Sequence, residues 1–572
     1  MTDTPSEVTL EPRQFPTRLM VNLYLVLGIA ALIVTSLPNT TTLLRYLIGI
    51  ATEVGLVLAA AVFMRMERLS VIRTARLRRP EPRNVALAVV AAPGLWITGV
   101  ALNLASVAIL GYSTPVTPAQ YPRGLLEAIA LAITTMIVAP VCEEFIFRGY
   151  VQRAYERRSM WHGVVVGGLI FSIYHLRFQG LFALIPVAVA LGLIAWRTES
   201  IFPGIALHAA YNAIATVLLA ATSFLPMQVV GALMVGLLCL GVLITPVSYV
   251  ALWLLWRSTA PKPVNPPPAR SGFRRWAWMI PLVAVLLIYV YASATEVLIG
   301  RFPEALIDGP LRLGPPLPTE GLSRWRYTVE DMLGRELGEA VCTSSSLDET
   351  VTLSCQANHE GFDLADGAPA LRRLPLEDLP LGLGSLDALV RVEPQSWSFE
   401  ATWNENDLTL GSFTASSDRS ELQYLLTYDS DVSEARLTVE PSGDEQTVTI
   451  SDQDVYMPYE WAWRLRALPF DLAYGGDIAL LQLGEDGQPQ IHEAFVVVET
   501  SEPTWTSNGT YVTWKVTTSW TDDQEDMHTL AAWYDSEAPH ELVRFTDGAV
   551  IYVLASVEEA GSAPSPYVGK IP

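Results

Sequence analysis

The residues best suited to chemistry lie inside apolar sequence: Glu143, Glu144 and Arg148 in VCEEFIFRGY (141–150), His175 closing FSIYH, and His208 and Asn212 bounding HAAYN. A charge at the centre of a bilayer costs at least ~2.5–3.5 kcal/mol, so three ionisable groups in six positions demand partners or a purpose. On a helix Glu144 and Arg148 are four apart and share a face, where they can pair. Glu143 is turned about 100° from its neighbour and must find a different partner. Residues 1–295 offer His162, His175 and His208 as their only histidines, and helical spacing puts Phe171 beside His175 and His208 beside Asn212. A carboxylate, two imidazoles and an amide converging in a dry bundle are what water activation and oxyanion stabilisation require. The purely structural reading, in which Glu144–Arg148 pins a helix end and each histidine satisfies a backbone carbonyl, accounts for any one of these residues better than for all of them together.

These groups need membrane helices to position them. The chain has 572 residues and is 51% hydrophobic, and its halves are physically different. Residues 1–295 carry 22 Lys+Arg against 11 Asp+Glu, whereas residues 296–572 carry 15 against 48. With ~20 apolar residues needed to cross a bilayer core, the first half reads as nine spans, with an uncertainty of one: about 19–37, 44–64, 84–110, 124–147, 161–176, 181–196, 201–222, 228–256 and 276–295. The first apolar run follows eighteen polar residues and is long enough to stay as an anchor, so no cleavable signal peptide is expected. Residues 65–83 hold seven arginines, 148–158 four and 257–275 five basic groups, while 38–43 and 223–227 hold none. Basic loops stay in the cytoplasm. This places the 1–18 tail inside and residues 296–572 outside.

The expected organisation is therefore a polytopic α-helical membrane bundle of about eight or nine helices (19–295), a Pro- and Leu-rich linker (296–325) and a separate acidic, mainly-β extracytoplasmic domain (326–572). Its first segment, YTVEDMLGRELGEAV (327–341), reads as a short helix. Beyond it, ARLTVE, QTVTISD, AFVVVET, TYVTWKVTTSW and AVIYVLAS alternate apolar with polar between the turn signals PSGD, GEDG, SNG and TDG, the pattern of antiparallel strands. The end of the chain looks like the closing hairpin of a meander or half-barrel. So acidic a surface repels nucleic acid and anionic lipid, and the partner of this domain stays unknown. Cys342 and Cys355 form a disulfide if the compartment is oxidising, or are two buried thiols. Cys142, in an apolar setting, reads as packing rather than as a nucleophile.

EEFIFR, FSIYH and HAAYN resemble the ordered signatures EExxxR, FxxxH and HxxxN of the CAAX-protease and bacteriocin-processing (CPBP, or Abi) family of intramembrane endopeptidases, related to type II CAAX prenyl endopeptidases. The resemblance covers about residues 84–222. It implies that Glu143 is the general base for water, with Glu144, Arg148 and Phe171 as structural support, that His175 holds or polarises that water, and that His208 and Asn212 stabilise the oxyanion. Whether the hydrolase is of glutamate or metallo type stays open: a zinc site of Glu143, His175, His208 and one open position satisfies tetrahedral chemistry, but the asparagine and the lack of HExxH favour no tightly bound metal or other cofactor. Other intramembrane proteases fit less well. Asp3 is the only aspartate before residue 296, HExxH is absent, and no GxS pairs with a histidine on a partner span.

The reading is a bacterial multi-pass membrane protease acting on membrane-associated or lipidated peptides, with the bilayer and a peptide or membrane-protein substrate as its partners. A non-catalytic scaffold, envelope sensor or immunity protein, binding through the acidic domain, is the alternative. A transporter would show repeated halves, and none is visible. One geometric condition follows. If the fourth span ended near residue 147, Glu143 would lie near its inner end and His175 roughly 20 Å along the next helix. The two meet only if the fourth helix stops short or YVQRAYERRSMW (149–160) runs within the bundle.

Overall fold

The computed structural model describes residues 15–36, 41–156, 159–225, 227–259, 276–307, 309–314, 323–331, 334–347, 350–363, 391–392, 394–404, 408, 410–417, 420–429, 434–440, 444–449, 455–457, 459–483, 489–522, 526–548 and 550–559. The chain divides into two compact units, Met1–Thr114 with Ala119–Arg301, and Pro115–Pro118 with Phe302–Pro572.

The first unit is helical. Its long elements are α1 (Arg18–Ser36), α2 (Thr42–Met66), α3 (Pro82–Leu110), α4 (Leu125–Glu156), α5 (Met160–Tyr174), α6 (Leu181–Thr198), α7 (Phe202–Phe224), α8 (Met227–Ser258) and α9 (Met279–Arg301). Among the described residues, eight of these are long and apolar enough to cross a membrane; α5, with fifteen residues, is the short one. The protein is a multi-pass membrane protein. Local chemistry sets the boundaries: the Thr41 and Ser159 hydroxyls accept from the Leu44 and His162 amides at the starts of α2 and α5, prolines occupy the first turns of α3 and α7, and Gly111 closes α3 at φ 76°. Small residues let helices approach in lipid. Gly94 of α3 donates its N–H to Ser248 Oγ of α8 at 3.1 Å, and that hydroxyl donates to the Val90 carbonyl at 2.8 Å.

The fourth helix is longer than the span read from the sequence. It does not end at residue 147 but runs on to Glu156, and Glu144–Glu156 is buried throughout. Glu156 lies thirteen positions past Glu143, and on the next helix His175 lies fifteen positions past Met160. The polar residues of YVQRAYE stay buried because they are paired. Glu156 meets Arg76 at 2.7 Å and Gln152 at 2.7 Å, Arg153 meets Glu199 at 3.1 Å, and Arg76 is itself inaccessible.

The second unit holds a fifteen-stranded sheet that wraps, barrel-like, around one continuous apolar core. Ser323–Glu330 lies near its middle, paired antiparallel with Glu336–Leu347 on one side and with Ile551–Glu559 on the other. The helix expected at 327–341 is not there: these residues form two strands joined by a turn, where Gly334 takes φ 78° and Asp331 accepts from the Arg335 amide and guanidinium. Trp325, Tyr327 and Val329 are buried with period 2, the pattern of a strand with one face on the core. ARLTVE, AFVVVET and TYVTWKVTTSW fall within the strands Glu434–Glu440, Pro489–Thr506 and Gly509–Thr521, and parts of QTVTISD and AVIYVLAS fall on Asp444–Thr449 and Ile551–Glu559, with residues 450–452 and 549 outside the described residues. The SNG and TDG turns are present, whereas GEDG and most of PSGD lie outside the described residues. Cys342 and Cys355 face one another in register and are joined in a disulfide, and Cys142 and Cys239 are free.

Candidate active site

Helix α4 departs from regular α geometry at the two places that matter. It is π-helical over Ile133–Val138 and again over Glu144–Val151, the stretches that flank Glu143. Such widened turns change which way neighbouring side chains project and recur at functional sites.

Glu144 is the hub of the buried half of the site. Its Oε1 lies 3.1 Å from Arg148 Nη1 and 3.2 Å from His208 Nδ1, and all three side chains are almost fully excluded from solvent. The same carboxylate approaches α7 so closely that a Cβ added at Gly204 would sit 2.9 Å from Glu144 Oε2. Gly204 is therefore the residue that lets the first turn of the histidine helix pass. Arg148 is held by more than the carboxylate: Nη2 donates to the Ala188 carbonyl of α6 at 3.3 Å, and its guanidinium lies 4.2 Å from the Phe171 ring centroid. Phe171 also makes edge-on contacts with both imidazoles, at 4.8 Å from His175 and 5.9 Å from His208.

Glu143, His175 and Asn212 are the more accessible of these side chains. Glu143 Oε2 is a buried atom without a hydrogen-bond partner, 3.8 Å from His208 Nε2, a separation longer than a hydrogen bond. His175 caps α5 and is exposed, with Nδ1 2.9 Å from the Phe171 carbonyl. A carbonyl only accepts, so Nδ1 carries the proton and the lone pair of the neutral ring sits on Nε2. Asn212 Nδ2 donates to the Thr135 carbonyl at 2.8 Å, in the first widened turn of α4, which leaves its second amide hydrogen for another acceptor. Thr135 and Thr216 reinforce this seam through their hydroxyls at 2.8 Å.

Two groups were not foreseen. Glu53 of α2 carries a buried Oε2 without a hydrogen-bond partner and interacts electrostatically with Glu143. Tyr174, one residue before His175, places a buried hydroxyl without a hydrogen-bond partner in the field of both carboxylates. Glu53 has a sequence signal, a lone carboxylate in the apolar run GIATEVGLVLAA; Tyr174 has none. His162, by contrast, is at the opposite end of α5, against Tyr155. Among the described residues no three His, Cys, Asp or Glu side chains gather as a metal-ligand set, and Glu143, His175 and His208 are not assembled as one. The buried Glu144–Arg148–His208 cluster stands beside a Glu143 oxygen that is left without a hydrogen-bond partner.

No curated protein matches the chain. Among solved structures, a β-barrel-like protein of a domain of unknown function from Brucella abortus covers 44% of this chain and 99% of its own at 11% identity, with a TM-score of 0.26. A candidate lipoprotein from Parabacteroides distasonis covers 43% and 99% at 11% identity, with a TM-score of 0.17. At such scores neither likeness bears on function. Residues 125–214, which contain Glu143, Glu144, Arg148, Phe171, His175, His208 and Asn212, match the family described as type II CAAX prenyl endopeptidase Rce1-like, the group to which the three sequence signatures already pointed.

Proposed function

We propose that the protein is an intramembrane endopeptidase that hydrolyses peptide bonds of membrane-associated or lipidated substrates. The Rce1-like segment supports a CAAX-protease type of hydrolase with the bilayer and peptides as its surroundings. The observation that carries the finer reading is Glu143: a carboxylate oxygen without a hydrogen-bond partner beside an imidazole, backed by a fully buried Glu144–Arg148–His208 cluster.

In this mechanism Glu143 takes a proton from a water aligned by His175 Nε2, and the hydroxide attacks the peptide carbonyl carbon. The C–O bond that forms leaves a tetrahedral oxyanion, which the second Asn212 amide hydrogen and His208 stabilise. Nδ1 of His208 faces Glu144, which leaves Nε2, on the Glu143 side, to face the oxyanion. Collapse breaks the C–N bond, and the proton held by Glu143 passes to the leaving amine. No step runs through a metal. The Arg-rich loops and the disulfide of the second half together support an N-terminus in the cytoplasm and residues beyond 302 outside it.

The test is cleavage of a membrane-peptide library by the purified protein beside Glu143→Gln. Loss of cleavage in a folded variant supports the reading. Equal cleavage by the two proteins removes Glu143 as the base.

A further inference from the structure

Beyond the matched segment, α9 contributes one ionisable side chain within its apolar body, Glu296. A carboxylate in a membrane helix must be satisfied by protein groups. Glu296 accepts from two backbone amides and the Tyr112 hydroxyl, and beside it lies the Thr114 hydroxyl, whose one hydrogen is shared with Gln179 Oε1 at 2.9 Å. Oε2 accepts the Phe178 amide at 2.7 Å, and Oε1 lies 3.0 Å from the Gln179 amide, 3.1 Å from Tyr112 Oη and 3.2 Å from Thr114 Oγ1. Tyr112 and Thr114 follow α3, whose Asn103 side chain in turn accepts from Gln179 Nε2 at 2.8 Å.

The two amides belong to the turn between α5 and α6, which starts at His175. His175 is the last residue of α5 to keep helical dihedrals, Leu176 takes φ 54°, and α6 starts after Gly180. A left-handed leucine is strained and persists only where its surroundings enforce it. Amides at the start of a helix also favour a negative group. One carboxylate that holds two successive amides fixes the orientation of both peptide planes, and hence the direction in which the chain leaves His175. The His175 ring itself is held from its own helix: Nδ1 faces the Phe171 carbonyl one turn back, and the ring lies edge-on to Phe171 at 4.8 Å.

We infer that Glu296 is the positioning residue of His175: it sets the α5–α6 turn so that the imidazole presents Nε2 at a fixed place. The inference rests on the endopeptidase reading for its consequence, but its geometry stands apart from it. It also assigns to α9, outside the matched residues, a share in the geometry of the site.

The experiment compares the full-length protein with Glu296→Ala, Glu296→Gln and Tyr112→Phe by hydrogen–deuterium exchange over residues 175–180 and by steady-state cleavage. Glu296→Ala frees both amides. Exchange of Phe178 and Gln179 then rises, and kcat falls on the order of 10²-fold, the scale of a 1 Å misplacement, with KM within twofold. Glu296→Gln keeps one accepting oxygen and gives an intermediate loss; it also serves if the alanine variant does not fold. Tyr112→Phe leaves the amide contacts in place and keeps wild-type kcat. Unchanged amide protection in Glu296→Ala overturns the inference, as does raised exchange with unchanged kcat, or an equal kcat loss in Tyr112→Phe, which marks a mere staple between helices. A wild-type protein that cleaves no better than Glu143→Gln overturns the endopeptidase reading instead, and amide protection alone then decides whether Glu296 holds the turn.

Discussion

Glu144 and Arg148 form an ion pair 3.1 Å long in which neither side chain reaches solvent, and His208 is bound to the same carboxylate oxygen as the arginine. The pair ties α4 to α7 and, through the Ala188 carbonyl, to α6. Removing one member of such a pair leaves the other as an uncompensated buried charge, at a cost of about 3–5 kcal/mol. Arg148→Ala should therefore lower folded yield and thermal midpoint. The double variant Glu144→Gln with Arg148→Met should recover most of that stability without recovering cleavage, as read by size-exclusion profile, thermal midpoint and peptide assay.

Glu143→Gln should behave in the opposite way. Its Oε2 has no hydrogen-bond partner to lose, so stability should hold while cleavage disappears. Substrate should still bind, measurable by retention of a labelled peptide on the immobilised variant.

Asn212→Ala removes both a helix-to-helix hydrogen bond and an oxyanion donor. The rate should fall on the order of 10²–10³-fold, with a stability loss of about 1 kcal/mol for the hydrogen bond to Thr135. A rate change no greater than the stability loss accounts for would assign Asn212 to packing.

Gly204→Ala places a methyl group 2.9 Å from Glu144 Oε2, against a carboxylate already fixed on two sides. Either α7 or the carboxylate must shift. Cleavage should drop at least tenfold while the same substitution at Gly231, where an added Cβ meets nothing, is neutral.

A reporter fused after residue 320 should be active on the outer side of the membrane, and Cys342 and Cys355 should resist alkylation until the protein is denatured and reduced. Cytoplasmic reporter activity would reverse the proposed orientation.

The helices were legible because lipid imposes long apolar runs, and EEFIFR, FSIYH and HAAYN stand out against them as polar interruptions. The end of α4 was not legible. YVQRAYE is charged enough to read as a loop, and it is helical and buried because Arg76 and Glu199, far away in sequence, neutralise it. For the same reason the sequence pairs Glu144 with Arg148 but not with His208, since the contact between α4 and α7 is a tertiary event. Glu296 gave a visible signal, a carboxylate near the end of an apolar run, but its meaning depends on a turn 118 positions earlier. In the second unit the strands from Glu434 onward follow their alternation. The segment 327–341 misled because its pattern was read as one element, whereas it is two strands with a turn between them.

Cys342 and Cys355 are opposite one another on neighbouring antiparallel strands, and both point into the core. A slip of one residue between those strands would turn one cysteine outward and expose the alternating set Val351, Leu353 and Ala357. The covalent bond forbids that slip. Its loop of thirteen positions is already closed by the hairpin, so what the bond adds is alignment: it works as a dowel between two planks. Its reach is that one strand pair, Glu336–Leu347 against Thr350–His359, which it holds in a single alignment.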